Sequence, residues 1–351
     1  MSDPMFLANR ERIAGNLEGA VVHYQEALAR HPVDAHHPLG VVLAALGRTS
    51  EAEACLLEAL QLSPGFTPAQ HSLALLLLSQ GRYSEGWPLY ESRRRLPALQ
   101  TPNPKLPFPE WAGEDLRGKR VLVFGEQGFG DQIMFGRFLA SLRDRAAEVI
   151  YVCAPALTSL FPGSIPAGGN SNIARPDYWA LVGSLPLLLG SNLESLPPPL
   201  ETGVINNMGG GVGVIAVGNP VHGRDALRSL RGSDAEILRS MGQDISPEAT
   251  GAADFLETAK RIASLSLVIT VDTAMAHLAA SMGKPTWVLL QGHYTDWRWL
   301  RDRADSPWYP SATLYRQRDP GDWTAVLAAV KRDLEWGHSG TPHVEPPRAC
   351  T

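Results

Sequence analysis

The pattern of apolar and polar positions divides this chain in two. Up to about residue 96 the pattern repeats itself, whereas from about 121 to 335 short apolar runs alternate with amphipathic stretches. The clearest run is Leu267 to Val271, short, apolar and β-branched, as a strand covered on both faces requires. A helix follows, with Asp272 or Thr273 as its cap and Gly283 and Pro285 ending it. A second run, Trp287 to Leu290, comes at once, so the pattern predicts a β-α-β unit in a parallel sheet. Such sheets bind ligands at the carboxyl ends of their strands. There the amides of Thr273, Ala274 and Met275 would seat a phosphate or diphosphate, and His277, four residues after Thr273, shares its face. A capped helix with a satisfied histidine explains these residues equally well.

Val121 to Phe124 begin another buried strand. The loop Gly125-Glu-Gln-Gly-Phe-Gly-Asp131 follows, then a periodic helix from Gln132 to Leu142 and a strand from Val149 to Val152. Gly125, Gly128 and Gly130 have neither the dinucleotide spacing nor the Gly-Lys-Ser/Thr of a P-loop; they let backbone and ligand approach closely. Asp131 is either the helix N-cap or a carboxylate at the strand end, kept ionised by the helix N-terminus and able to take a proton from an acceptor hydroxyl. From Leu157 to Val204 many Pro, Gly and Ser break the pattern. Asp177-Tyr-Trp179 and Ser184-Leu-Pro186 there read as loop and short strand, and 206–212 as a hinge. Val212 to Val217 is again a strand. It runs into Gly218-Asn219-Pro220 and then His222, Arg224 and Arg228, which either neutralise phosphates or form a solvated basic loop. Their place after a strand of the same sheet as Asp272 favours phosphate. Phe255 to Ser264 is an amphipathic helix, and a last helix ends near Leu334. The aromatics between Gln291 and Pro310 either wall a base or sugar site or pack the final segments down.

The N-terminal repeat is set by Gly15, Gly47 and Gly81, with Ala20, Ala52 and Gly86 at a constant offset. Ala27-Leu28 and Ala59-Leu60 recur, Pro32 and Pro64 close two units, and Leu39-Gly40 and Leu73-Ala74 open the second and third. Residues 1–96 thus resemble about three tetratricopeptide repeats, which implies antiparallel helix pairs with small residues where they cross. The first connection is two residues short, so that loop is tight, and Pro88 should bend the last helix or mark its first turn. Three repeats make a short curved stack that either docks a protein partner or braces the next domain; with no peptide clamp in the sequence, the brace is favoured. His36-His37 read as solvated histidines at a helix start. Residues 97–120, with Pro97, Pro102, Pro104, Pro107 and Pro109, form a stiff linker that Trp111 anchors.

Composition narrows the function. A net charge of −5 argues against a nucleic-acid partner, and no apolar run reaches the length of a membrane span. The first ten residues lack the regions of a signal peptide, and Cys55, Cys153 and Cys350 suggest neither a disulfide framework nor a zinc site. A cytoplasmic location is the expectation.

Taken together, Gly130-Asp131-Gln-Ile133, Gly218-Asn219-Pro220, Val271-Asp272-Thr273-Ala274, His277, Gly283-Lys284-Pro285, Asp296-Trp-Arg-Trp299 and Asp305-Ser-Pro-Trp-Tyr-Pro310 resemble family 9, heptosyltransferase-type glycosyltransferases. The whole chain is similar to bacterial proteins that fuse tetratricopeptide repeats to that region. The resemblance implies an α plus α/β fold. Helical repeats would precede two Rossmann-like lobes of GT-B type: 121–206 on the acceptor side, 207–335 on the nucleotide-sugar side, and a disordered tail over 336–351. By the same resemblance Asp131 is the catalytic base. Gly128, Gly130, Gly218, Asn219, Arg224, Arg228, Asp272, Thr273, Ala274 and His277 bind substrate. The donor is a nucleotide-diphosphate sugar, the acceptor a protein or saccharide, and neither cofactor nor metal is expected. One departure stands out: only 34 residues lie between Pro220 and Phe255, where a further strand and helix are expected, so the second lobe reads as shortened. That departure keeps an alternative open, a repeat scaffold carrying an inactive transferase region.

Overall fold

The computed structural model describes residues 3–169, 173–207 and 209–336. It forms two compact units: residues up to 101 together with 190–192 and 293–301, and the remainder of the chain.

The first unit is built on three helical hairpins. These are α1 (Pro4–Ile13) with α2 (Leu17–Leu28), α3 (Pro32–Ala45) with α4 (Thr49–Leu62), and α5 (Thr67–Ser79) with α6 (Tyr83–Tyr90). Gly15, Gly47 and Gly81 take the turns at φ of 83°, 79° and 76°, left-handed values that cost glycine nothing. Small residues set the crossings: a Cβ at Gly40 would stand 2.8 Å from Leu56 Cγ, and one at Gly86 2.7 Å from Leu78 Cδ2. Tyr24, Leu39, Leu43, Leu56, Leu73 and Leu77 fill the shared core.

Three details differ from expectation. Pro32 starts α3 rather than ending α2, because its fixed φ suits a first helical position. Leu39-Gly40 and Leu73-Ala74 lie midway along α3 and α5, where those helices need a buried face. His36 and His37 are not solvated: both are half-buried, and His37 Nε2 meets Ser72 Oγ at 3.0 Å. Pro88 does sit inside α6, which ends two residues later and tightens into a 3-10 helix, Glu91–Arg95.

The second unit begins with the proline-rich segment. Leu106 and Phe108 pack on the core of the first sheet, and Trp111 N–H donates to Trp179 O at 2.7 Å. Then come β1 (Arg120–Phe124), α7 (Phe129–Gly136), α8 (Phe138–Arg143), β2 (Glu148–Cys153), β3 (Ile165–Pro166), β4 (Tyr178–Leu181) and the single turn α9 (Leu185–Leu188). Two corrections follow. The helix expected from Gln132 starts at Phe129 and is interrupted at Arg137. Tyr178–Leu181 is the expected short strand, largely buried, but Leu185–Leu188 is helical where loop or strand was expected.

The second sheet carries β5 (Val212–Ile215), α10 (Asp225–Arg228), α11 (Gly232–Ser240), β6 (Gln243–Asp244), α12 (Pro247–Thr250), α13 (Phe255–Ala263), β7 (Leu267–Val271), α14 (Ala274–Ser281), β8 (Thr286–Leu290), β9 (Ala312–Arg316) and α15 (Thr324–Glu335). The segment between Pro220 and Phe255 therefore does hold a helix and a strand, since α11 and a two-residue β6 fit within it. Part of the expected hinge, Met208, lies outside the described residues, as does the tail from Gly337. Gly209 is packed so closely on the Ser264 carbonyl that no side chain fits there.

Both sheets are parallel, in the orders β3-β2-β1-β4 and β6-β5-β7-β8-β9. In each, strand order reverses beside the first strand, between β1 and β4 and between β5 and β7. Crevices for ligands open at the carboxyl ends of such strand pairs. Among the described residues no helix is long and apolar enough to cross a membrane.

Two outcomes test the packing of the repeats. Gly40→Val should destabilise the first unit by about 1–3 kcal/mol through overpacking against Leu56, read by denaturant unfolding. Burial, reinforced by Arg93, pushes His71 down to about 4. The unfolded chain therefore binds a proton that the folded one refuses. Stability is complete above the ordinary value of 6.5 and falls as pH drops toward 4. The thermal midpoint should decline over that window, and less steeply in His71→Gln.

Candidate functional site

The carboxyl ends of β5 and β7 carry the best-defined polar network. Asp225, at the start of α10, is buried and accepts from Ser229 Oγ at 2.7 Å, Arg231 at 3.0 Å and Arg228 Nε at 3.5 Å. Arg228 in turn donates from Nη1 to the Asp272 carbonyl at 2.8 Å. One guanidinium thus joins the loop after β5 to the loop after β7, at the point where strand order reverses. Gly218 permits this. A Cβ there would lie 2.8 Å from both Arg228 Nη2 and Asp225 Oδ1, and the Gly218 N–H donates to Ser229 Oγ at 2.8 Å. Arg228 and Asp225 thus take the space that a side chain at Gly218 would need. Asn219 Oδ1 accepts from the Val221 N–H in a local turn. Arg224 is exposed, and its own N–H donates to His222 Nδ1 at 3.2 Å.

At the start of α14 the structure selects one of the two expected caps. Thr273, not Asp272, is the N-cap, and its Oγ1 accepts from Met275 N–H at 3.3 Å. The expected seat of three amides therefore loses Met275, while Thr273 and Ala274 keep their place at the open first turn. His277 has the setting of a satisfied histidine, one of the two alternatives open from the sequence. It is buried, with Nδ1 2.9 Å from Tyr309 Oη. Its ring lies against Gly130, where a Cβ would stand 2.7 Å from His277 Cδ2 and 3.4 Å from Ala274 Cα. Lys284, in the motif after the helix, is buried too and donates to the Ala263 and Leu265 carbonyls, closing the end of α13.

The first lobe contributes the start of α7. Gly128 is the N-cap and Asp131 the third helical residue, so Asp131 is not the cap; its Oδ2 accepts from Gly128 N–H at 2.9 Å. Through Gly130 the α7 turn meets α14, and Phe129 meets Phe255 at 5.1 Å between ring centroids. Deeper in this junction Arg137 donates to the Trp308 carbonyl at 2.6 Å and lies 5.1 Å from the centroids of both Trp308 and Tyr309. Thus Gly130, Ala274 and His277 come together, and Gly218, Arg228 and Asp272 come together, with α14 common to both.

Sequence reasoning missed Glu126. It is buried at the end of β1 and accepts from Gly183 N–H, just past β4, at 2.9 Å, so it ties the two strands at the first sheet's reversal. A lone carboxylate between a buried strand and a glycine loop was the available signal. Arg137 and Tyr309 were missed because their partners are far away in sequence. Two shallow cavities of about 420 and 390 Å³ lie elsewhere, one lined by Arg143, Glu148 and Phe161, the other by Trp111, Asp115 and Leu188. Among the described residues no three His, Cys, Asp or Glu side chains cluster as metal ligands would.

Residues 233–326 match the model of glycosyltransferase family 9 (heptosyltransferase). That span runs from α11 into α15 and includes Asp272, Thr273, Ala274 and His277. The chain is also similar to Protein FlbA of Caulobacter vibrioides, at 26% identity over 91% of this chain and 64% of the relative. It thus spans slightly less than two thirds of that relative's length. Among solved structures, the glycosyl transferase family 9 protein from Veillonella parvula aligns at 14% identity over 67% of this chain and 95% of its own, with a TM-score of 0.36. MamA aligns at 22% identity over 26% of this chain and 55% of its own, with a TM-score of 0.25. A glycosyltransferase-type region in the second lobe is what the family match supports.

Tyr309→Phe isolates one contact of this junction. It removes the hydroxyl that meets buried His277 Nδ1 and should cost about 1–3 kcal/mol, visible as a lower thermal midpoint with no change in secondary structure.

Proposed function

We propose that this chain is a glycosyltransferase that moves a sugar from a nucleotide-diphosphate donor to a hydroxyl of a protein or saccharide acceptor. The observation that carries the reading is Arg228, fixed by Asp225 and the Asp272 carbonyl at the strand reversal beside the first turn of α14. A held cation and a helix N-terminus at one point suit a diphosphate. In this reading the donor lies along the ends of β5 and β7, with Thr273 and Ala274 amides and Arg228 facing its phosphates. Gly218, Asn219 and Asp272 shape that edge. Gly128 and Gly130 bring Asp131 up to it from the first lobe.

The chemistry follows from those roles. The acceptor oxygen attacks the anomeric carbon and its proton passes to Asp131. The bond from that carbon to the diphosphate oxygen breaks, and charge gathers on the leaving nucleoside diphosphate. Arg228 and the α14 amides stabilise that charge most when it is largest, which lowers the barrier rather than merely tightening binding. His277 has a positioning part here, holding α14 against Gly130.

A second reading, a repeat scaffold with an inactive transferase region, is favoured by one observation: His277 and Gly130 fill the junction between the α7 and α14 turns.

One experiment separates the two. Thermal unfolding of the full chain is followed with UDP-, GDP-, ADP-, CMP- and dTDP-sugars, with and without magnesium or manganese. Binding to the folded state alone must raise the midpoint. One nucleotide class should raise it, and Arg228→Ala should abolish the shift. Asp131→Asn should keep the shift while transfer falls by about 10²–10⁴-fold. No shift with any donor would replace this reading by the scaffold.

A further inference from the structure

The loop that leaves β8 is held by the repeats. The chain exits β8 at Gly292, whose N–H donates to Gln317 Oε1 at 3.1 Å within the second unit, and then spends His293–Arg301 in the first unit before returning. Those nine residues lie on the repeats as a peptide ligand would. His293 Nδ1 meets the Ala45 carbonyl at 3.0 Å and Arg301 Nη2 donates to the Ala44 carbonyl at 2.5 Å, so two basic side chains serve the open carboxyl end of α3. Tyr294 packs on the repeat core. Trp297 is buried among Tyr83, Trp87 and Tyr90, with centroids 6.4, 5.4 and 6.1 Å away. Trp87 also donates from Nε1 to the Ser191 carbonyl at 3.1 Å, so it holds the short excursion after α9 as well.

The backbone of this loop is strained. Tyr294 and Leu300 have φ of 56° and 51°, in the left-handed region that such side chains avoid. Strain of this kind persists only where surrounding contacts over-determine it, and it gathers at functional sites. Here the contacts belong to the repeats, while the loop starts at the carboxyl end of β8, the neighbour of β7.

We propose that the repeats clamp their own chain: Trp297, seated among Tyr83, Trp87 and Tyr90, is a positioning residue that keeps the end of β8 in the form that receives the donor. The donor part of this inference rests on the glycosyltransferase reading; the clamp itself does not. The repeats then act on catalysis through an internal ligand rather than through an outside protein.

The test uses the full chain, with amide hydrogen exchange and donor-induced thermal shift read on wild type, Trp297→Ala and Trp297→Phe. Trp297→Ala should speed exchange across 293–301 and at Gly292 by about tenfold or more, as local opening would. It should also lose the donor shift, and Trp297→Phe, which keeps a ring in the pocket, should restore both. Faster exchange at 293–301 with Gly292 and the donor shift unchanged would make the loop a passive plug and overturn the proposal. If wild type answers to no donor, the functional reading fails and Gly292 alone decides: faster exchange upholds the clamp, and unchanged exchange ends it. Should Trp297→Ala fail to fold, the double variant His293→Ala and Arg301→Ala removes the two α3 contacts and is read in the same way.

Discussion

The second unit depends on a close approach that only glycine allows. Gly130 sits on the first turn of α7, and the His277 ring occupies the space a side chain there would take. Because the ring is pinned by Tyr309, and Tyr309 lies beside Arg137, the contact extends into a chain of buried polar and aromatic groups running from α7 to the segment before β9. Each of these polar groups is costly to bury without a partner, and the contacts along the chain offset part of that cost. The turns that carry Asp131 and Ala274 are therefore brought together by packing.

A second constraint works at right angles to the first. Asp225 is a buried carboxylate whose charge is answered by Arg228, Arg231 and the Ser229 hydroxyl. Its effect is to take rotamer freedom from Arg228, which in the proposed function would leave less ordering for donor binding.

The repeats show the same logic on a larger scale. Their core is ordinary helix-pair packing, but His293–Arg301 from the second half of the chain completes it, with Trp297 as the largest anchor. An aromatic-rich loop can wall a ligand or pack against protein, and here the second use is visible in the ring contacts and in the basic side chains on the end of α3.

Several features were legible in the residues alone. Gly15, Gly47 and Gly81 marked the hairpin turns because the left-handed backbone there excludes most other residues. Leu267–Val271 and Val121–Phe124 announced themselves as strands because a strand buried on both faces has no polar side to show. The weaker elements were not legible. The two residues of β6 and the four of β4 carry too little pattern to outweigh the Pro, Gly and Ser around them, and they exist because a neighbouring strand offers its edge. Sequence by itself determined the repeats, the parallel sheets and which loops would meet at strand ends, since those follow from local backbone preference and burial. Tertiary structure alone decided that Arg228 reaches the Asp272 carbonyl, that His277 turns to Tyr309, and that the Trp297 loop belongs to the repeats. Each of these depends on a partner tens or hundreds of residues away, and no local pattern encodes which distant group will be close enough to bond.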